Sequence, residues 1–324
     1  MKTAILYLGI AAIGYFIGIR FGKILHRGSA IGIILAADVT VLIFIMGFRI
    51  GGNSEIVSQI KEIGLASLFM AIAGLVATIA GLFLLRKLLG YNRVAEKATL
   101  INEDKKETNE AERPPVLSKS TIRYLLALVT GYVLAYILVI KRGIVDEKMI
   151  TDISGTVVTI LLYILVFLVG EDMGNDGSFF TVFKTIGLRI LLFPLVTGIC
   201  TIVATLLCGL ILPINVKESL AIACTFGWYS LGPTIIMDAG MISTGAYAFL
   251  TNFFRDMISL ITIPVVASRI GYLETVGMPQ AAAMDVCIGT FSSTTNQTTT
   301  MFAFASGAIF TAIIPILVPL LVSI

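Results

Sequence analysis

Apolar runs of membrane length recur along the chain, separated by short polar breaks. A spanning helix needs about 20 apolar residues. Eight stretches meet this requirement: 4–22, 30–50, 64–85, 121–140, 153–172, 186–211, 246–267 and about 303–323. Two further stretches, 218–240 and 279–301, are apolar but interrupted. The first contains Phe226-Gly227-Trp228-Tyr229-Ser230-Leu231-Gly232-Pro233, where glycine and proline oppose a continuous helix. The second contains a run of Ser, Thr, Asn and Gln from Ser292 to Thr300. In lipid, non-helical backbone survives only where it is buried in protein or lines a cavity. The pattern therefore predicts an all-α polytopic membrane protein with two broken elements, each paired with a spanning helix. As re-entrant hairpins they leave eight spans; as unwound spanning helices they give ten. Hairpins are the preferred reading, because hairpin plus span is then an odd, inverted unit.

The chain also repeats itself. Leu42-Ile43-Phe44-Ile45-Met46-Gly47 and Gly51 align with Leu165-Val166-Phe167-Leu168-Val169-Gly170 and Gly174, at an offset of 123 residues. Lys61, Ile63, Gly64 and Leu68 recur as Lys184, Ile186, Gly187 and Leu191, and Tyr7, Gly14 and Tyr15 recur as Tyr124, Gly131 and Tyr132. Each copy holds three spans. An odd number puts the second copy upside down relative to the first, and inverted repeats characterise secondary transporters. The predicted organisation is a first three-helix repeat (1–90), a charged linker (91–120), a second repeat (121–213) and a transport unit (214–324) carrying the broken elements. The recurrence of Tyr7, Gly14 and Tyr15 argues that the first segment is a retained span rather than a signal peptide.

Composition narrows the class further. The chain is 57% hydrophobic and 13% charged, against about 25% charged in soluble domains. Its four cysteines (200, 208, 224 and 287) lie in apolar segments and read as small buried hydrophobes. A single histidine, His26, leaves little material for histidine-based metal or triad chemistry. No enzyme activity, cofactor or metal is expected. Residues 86–120 carry eight Lys/Arg and six Asp/Glu with Pro114-Pro115, the composition of a cytoplasmic linker. With both termini outside, inner segments hold 13 Lys/Arg and outer segments 7, so the positive-inside bias favours that orientation.

Ionisable groups at membrane depth are expensive and are functional candidates by default. Asp38 lies mid-span, and its repeat counterpart is Leu161. Asn252, Arg255, Asp256 and Ser259 share one helical face. Asp256 can take an ammonium group or a proton. Arg255 can hold a carboxylate or tune Asp256, and a structural ion pair is the alternative for both. Asp285 and Asp238, flanking the broken elements, read as binding or capping groups. Glu171 and Asp172 read as the solvated end of span five. Within the broken elements, Trp228, Tyr229, Ser230, Ser292, Thr294 and Asn296 are candidate substrate ligands, since unwound backbone, hydroxyls and amides can coordinate a zwitterion's carboxylate.

The chain resembles the lysine exporter LysO family. The resemblance rests on Phe226-Gly227-Trp228-Tyr229-Ser230-Leu231, the Asn252-Phe253-Phe254-Arg255-Asp256 face, Ala281-Ala282-Ala283-Met284-Asp285, the 167–170 block and the Ile314-Pro315-Ile316-Leu317-Val318-Pro319 ending. Asp256 stands where glutamate is usual, and the threonine-rich tip expected at 290–300 is denser in hydroxyls than is typical. The resemblance implies export of L-lysine from the bacterial cytoplasm across the inner membrane in exchange for protons, with Asp38 and Asp256 as the transport carboxylates. The partners it implies are a small-molecule substrate, bilayer lipid and a second copy in a homodimer, with no nucleic acid. Sodium is the alternative coupling ion. The rival carrier reading is an organic-acid transporter in which Arg255 and the threonine run bind substrate. An intramembrane aspartyl protease using Asp38 and Asp256 lacks any flanking motif, and a passive channel is the remaining alternative.

Overall fold

The computed structural model describes residues 2–25, 30–95, 119–145, 147–176, 188–284 and 286–323, and their elements are helical. The long helices are α1 (Lys2–Leu25), α2 (Ala30–Gly51), α3 (Ser54–Leu89), α4 (Lys119–Ala135, continued by a π-helical turn over Tyr136–Lys141) and α5 (Glu147–Asp176). They continue with α6 (Leu192–Gly209, entered through a 3-10 turn over Leu188–Leu191), α9 (Ile242–Arg269) and α11 (Gln297–Ser323). Short helices α7 (Val216–Ala223), α8 (Gly232–Asp238) and α10 (Ile288–Thr294) belong to the broken elements. Among the described residues, six helices are long and apolar enough to cross a membrane, and the apolar parts of α1 and α5 are shorter, Gly9–Phe21 and Thr156–Glu171. The protein is a polytopic helical membrane protein.

Helix α3 is held at both ends by local chemistry. The Asn53 side chain accepts a hydrogen bond from the Ile56 N–H at 2.9 Å, and Gly90 (φ +72°) lets the chain leave in a left-handed turn. At 36 residues, α3 is about 54 Å long, well beyond the hydrocarbon thickness.

The helices form two groups. In the first, α1 runs along α5 and α2 along α4, with α2 also touching α5. These crossings are built from glycine. A side chain at Gly14 or Gly18 would collide with the backbone at Phe167 or Glu171, and one at Gly170 or Gly174 with that of Ala11 or Tyr15. In the other crossing, Gly47 and Gly51 face the backbone of Leu128 and Tyr132, and Gly131 faces that of Phe44. Lipid gives helices no hydrophobic reason to associate, so close backbone approach through small residues four apart supplies the contact. Of the recurring glycines, the pairs Gly14/Gly131, Gly47/Gly170 and Gly51/Gly174 make these crossings, whereas Gly64 has open space around it.

In the second group, α3 and α6 pack together and against the broken elements and α9. Both broken elements are hairpins. The first starts at α7, whose Glu218 accepts a hydrogen bond from Thr244 in the first turn of α9 (3.3 Å), and ends at Asp238, four residues before α9 begins. Both feet thus lie at the N-terminal end of α9. Its bend, 224–231, is buried beside Asn252. The second hairpin has its feet at the other end: the Tyr272 N–H donates to the Arg93 carbonyl (2.8 Å), and Asn296 Nδ2 to that of Val94 (2.5 Å). Its descending limb opens on a 3-10 turn (Leu273–Thr275), a second 3-10 turn (Gln280–Met284) forms its tip, and α10 returns.

Three expectations are corrected here. The tip of the second hairpin is the alanine-rich turn at 280–284, while 290–300 forms its returning limb and foot. Glu171 is 1% exposed, because α5 continues to Asp176 and keeps Glu171 inside the α1 crossing. Arg86, counted with the linker charges, is buried as well.

Candidate functional site

The two hairpin tips meet. The Ala281 N–H donates to the Phe226 carbonyl at 3.0 Å. A side chain at Gly227 (φ +80°) would press on the Pro279 carbonyl, so only glycine fits this approach. Two non-glycine residues at the junction, Phe226 (φ +37°) and Gln280 (φ +55°), sit in the left-handed region, where strain of order 1–3 kcal/mol each is retained only when surroundings over-determine the backbone. The junction lies about ten residues into the 28-residue α9, about 15 Å along it, which is half the ~30 Å thickness of a hydrocarbon core.

Two side chains on α9 hold the tips. Asn252 Nδ2 donates to Thr225 Oγ1 at 2.7 Å, and its Oδ1 accepts from the Gly227 N–H at 3.2 Å. One amide thus satisfies the bend of the first hairpin. One turn further along α9, Arg255 is 2% exposed and holds the second hairpin. Its Nε donates to the Met278 carbonyl (2.7 Å), and Nη2 to the Gly277 carbonyl (3.2 Å) and Thr78 Oγ1 on α3 (2.9 Å). Its Nη1 donates to Thr201 Oγ1 on α6 (3.4 Å), which also accepts from Gln280 Nε2 at 2.8 Å. Gly74 leaves the space the guanidinium fills. Asp256, fully buried, interacts electrostatically with Arg255. Ser259, the last member of the predicted face, is also fully buried.

The remaining predicted residues divide. Asp38 lies in the middle of α2 and is 5% exposed, and among the described residues neither of its carboxylate oxygens has a hydrogen-bond partner. Trp228 lines an apolar cavity between α1, α5 and α11. Tyr229 makes edge-on ring contacts with Tyr124 of α4 (6.4 Å) and Phe249 of α9 (6.1 Å). Ser230 is buried, and its carbonyl accepts from Thr234 Oγ1 at 2.6 Å at the start of α8. Asp285 lies outside the described residues.

Ser292, Thr294 and Asn296 are away from the junction. Ser292 is exposed and donates to Gly289 O (3.0 Å), and Thr294 donates to Thr290 O (2.6 Å). Asn296 is the N-cap of α11: its Oδ1 accepts from the N–H (2.9 Å) and hydroxyl (2.7 Å) of Thr299.

Ion pairs at the hairpin feet were not foreseen. Arg86 Nε donates to Glu274 Oε1 at 2.6 Å, both groups buried, which ties the second hairpin to α3. Arg49 of α2 pairs with Asp238 at 3.5 Å and donates to Ser154 of α5 at 2.7 Å. Asp238 is therefore an ion-pair partner at the C-terminal end of α8 rather than an N-cap. The available signal was the presence of charges beside glycines, as in Gly271 before Glu274 and Gly51 after Arg49.

With this geometry in place, comparison with known proteins is decisive about the family. The profile of the family described as Lysine exporter LysO matches residues 125–322, which takes in most of α4, all of α5 and α6, both hairpins, α9 and nearly all of α11. The chain belongs to the lysine exporter LysO family. It is similar to Lysine exporter LysO of Escherichia coli (strain K12), 28% identical over 159 residues, covering 48% of this chain and 52% of that protein. It is also similar to a Haemophilus influenzae protein named "Putative lysine exporter", 26% identical over 165 residues, covering 48% of this chain and 80% of that one. The chain thus spans about half the length of its E. coli relative. No solved structure matches it. The family is one of transporters, not enzymes.

Proposed function

We propose that this protein exports a cationic amino acid, L-lysine, from the bacterial cytoplasm across the inner membrane in exchange for protons. The observation that carries the mechanism is Asp38, a buried mid-helix carboxyl with both oxygens unsatisfied among the described residues. A bare carboxylate at that depth costs several kcal/mol. It is stable in two conditions: protonated, or paired with a cation. Those are the two states an antiporter alternates between, and competition for one carboxyl links outward lysine to inward protons. Asp256, a turn beyond the hairpin junction on α9, is the second exchange carboxyl. The helix ends and backbone amides of the hairpin bends supply partners for the substrate carboxylate. Sodium replaces the proton if Asp38 binds a metal cation instead.

The organic-acid reading loses its binder in this geometry, because four N–H groups of Arg255 already donate to Met278, Gly277, Thr78 and Thr201. The matching glycine crossings support an inverted-repeat topology with eight spans and two re-entrant hairpins. In that topology both termini are outside, the 86–120 linker is cytoplasmic, and the hairpins enter from opposite membrane faces.

Counterflow in proteoliposomes tests the assignment. Vesicles preloaded with unlabelled lysine accumulate external labelled lysine transiently, and arginine and ornithine suppress this whereas aspartate and citrate do not. Absence of lysine counterflow, with a signal competed only by the acids, contradicts it.

A further inference from the structure

The cavity lined by Trp228 is not part of the polar junction, and its composition identifies what fills it. It measures about 200 Å³ and lies between α1, α5, the first hairpin and α11. Ala12, Phe16, Gly170, Trp228, Ala312 and Pro315 define its walls. Its polar groups are the hydroxyls of Tyr15 and Thr311 and the indole N–H of Trp228, and among the described residues no charged side chain lines it. Its rim residues Ala12, Phe16 and Ala312 are exposed, Phe16 to 69%, and they continue into the outward apolar surface of α1 and α11 at Ile13, Ile19 and Ile313. The lining segments of α1, α5 and α11 lie within those helices, and Trp228, in the bend, adjoins the junction about 15 Å along α9. At that depth the surrounding medium is hydrocarbon, so water filling an apolar cavity open to it is disfavoured.

We propose that this cavity is a binding site for the acyl chain of a membrane lipid, with Trp228 as its inner wall. The occupant is the chain rather than the headgroup, because among the described residues no cation or cluster of donors lines the site to hold a phosphate. Two walls come from the glycine-packed helices α1 and α5, and two from the first hairpin and α11. The lipid chain therefore sits between the two helix groups and contacts the hairpin bend directly, making the bilayer a component of the bend's packing.

Trp228 is the sole tryptophan of the chain, so its fluorescence reports this cavity alone. The test reconstitutes the full chain in phosphatidylcholine vesicles with and without lipids brominated at mid-chain. Bromine on the acyl chains is expected to lower Trp228 emission severalfold, while iodide in the aqueous phase leaves it unchanged. Ala12→Leu and Ala312→Leu, which fill the cavity from its rim, are expected to recover much of the lost emission. Iodide quenching comparable to the bromolipid effect makes the cavity aqueous and overturns the proposal. Lack of quenching by either agent means that protein, such as a second copy, seals it, and also overturns the proposal. Equal bromolipid quenching in the filled variants places the lipid contact elsewhere and is equally contrary.

Discussion

The two helix groups bring backbones into close contact by opposite means. Between α1 and α5, and between α2 and α4, the helices satisfy their own hydrogen bonds. Contact there needs only the removal of side chains, at Gly14, Gly18, Gly47, Gly51, Gly131, Gly170 and Gly174. Where the hairpins meet, the backbone is broken and its polar groups have no helix to satisfy them. Contact there requires added polar side chains: Asn252 for Thr225 and Gly227, and Arg255 for Gly277 and Met278. The charged span residue Arg255 is accounted for by structure. Asp38, with no such employment, is left for exchange.

Breaking the first arrangement has the largest expected effect. Gly14→Leu drives a branched side chain into the Phe167 carbonyl, an overpacking of about 3 kcal/mol or more. Folded, monodisperse protein in detergent should be lost, whereas Gly9→Leu, with open space around it, should behave as the parent. Next comes Arg255→Ala, which strands two carbonyls and leaves Asp256 without its neighbouring charge. A loss of about 3–5 kcal/mol is expected, read as a large fall in thermal midpoint, with Arg255→Lys recovering only part of it because a lysine cannot span the same acceptors. Asn252→Ala removes one neutral amide, so about 1–3 kcal/mol is expected, and protease cleavage near 224–231 should rise while the second hairpin stays protected. Smallest is Asp238→Asn. Arg49 is buried, but its pair with Asp238 is at 3.5 Å with the Asp238 side chain 31% exposed, its bond to Ser154 remains and the asparagine carbonyl can still accept, so about 1 kcal/mol is expected, read as a small fall in thermal midpoint.

The sequence made the regular parts legible and obscured the pairing. Apolar runs marked each long helix, and the repeated glycines marked the crossings, because both are local periodic signals. The bend at Phe226–Pro233 was visible for the same reason. The Ser/Thr run at 292–300 resembled a binding tip because hydroxyls can ligate substrate. In the fold, however, Thr294, Thr295 and Thr300 return theirs to carbonyls four positions earlier in the chain. The true tip, Ala281-Ala282-Ala283, is built from residues whose role is to be small. Arg255 and Glu274 were hidden differently, since their partners lie up to 188 residues away and no local pattern encodes which carbonyl or guanidinium they meet. Glu171 was misplaced because the end of a hydropathy window is not the end of a helix.

The most direct test of the central claim is proton-driven lysine accumulation by Asp38→Asn in proteoliposomes carrying an imposed pH gradient. Asparagine keeps the shape and cannot exchange a proton for a cation. The parent is expected to concentrate lysine against its gradient in response to the pH difference, and Asp38→Asn, at equal reconstituted amount and thermal stability, to lose that response. Accumulation by Asp38→Asn at the parental rate and with the parental pH dependence would contradict the account.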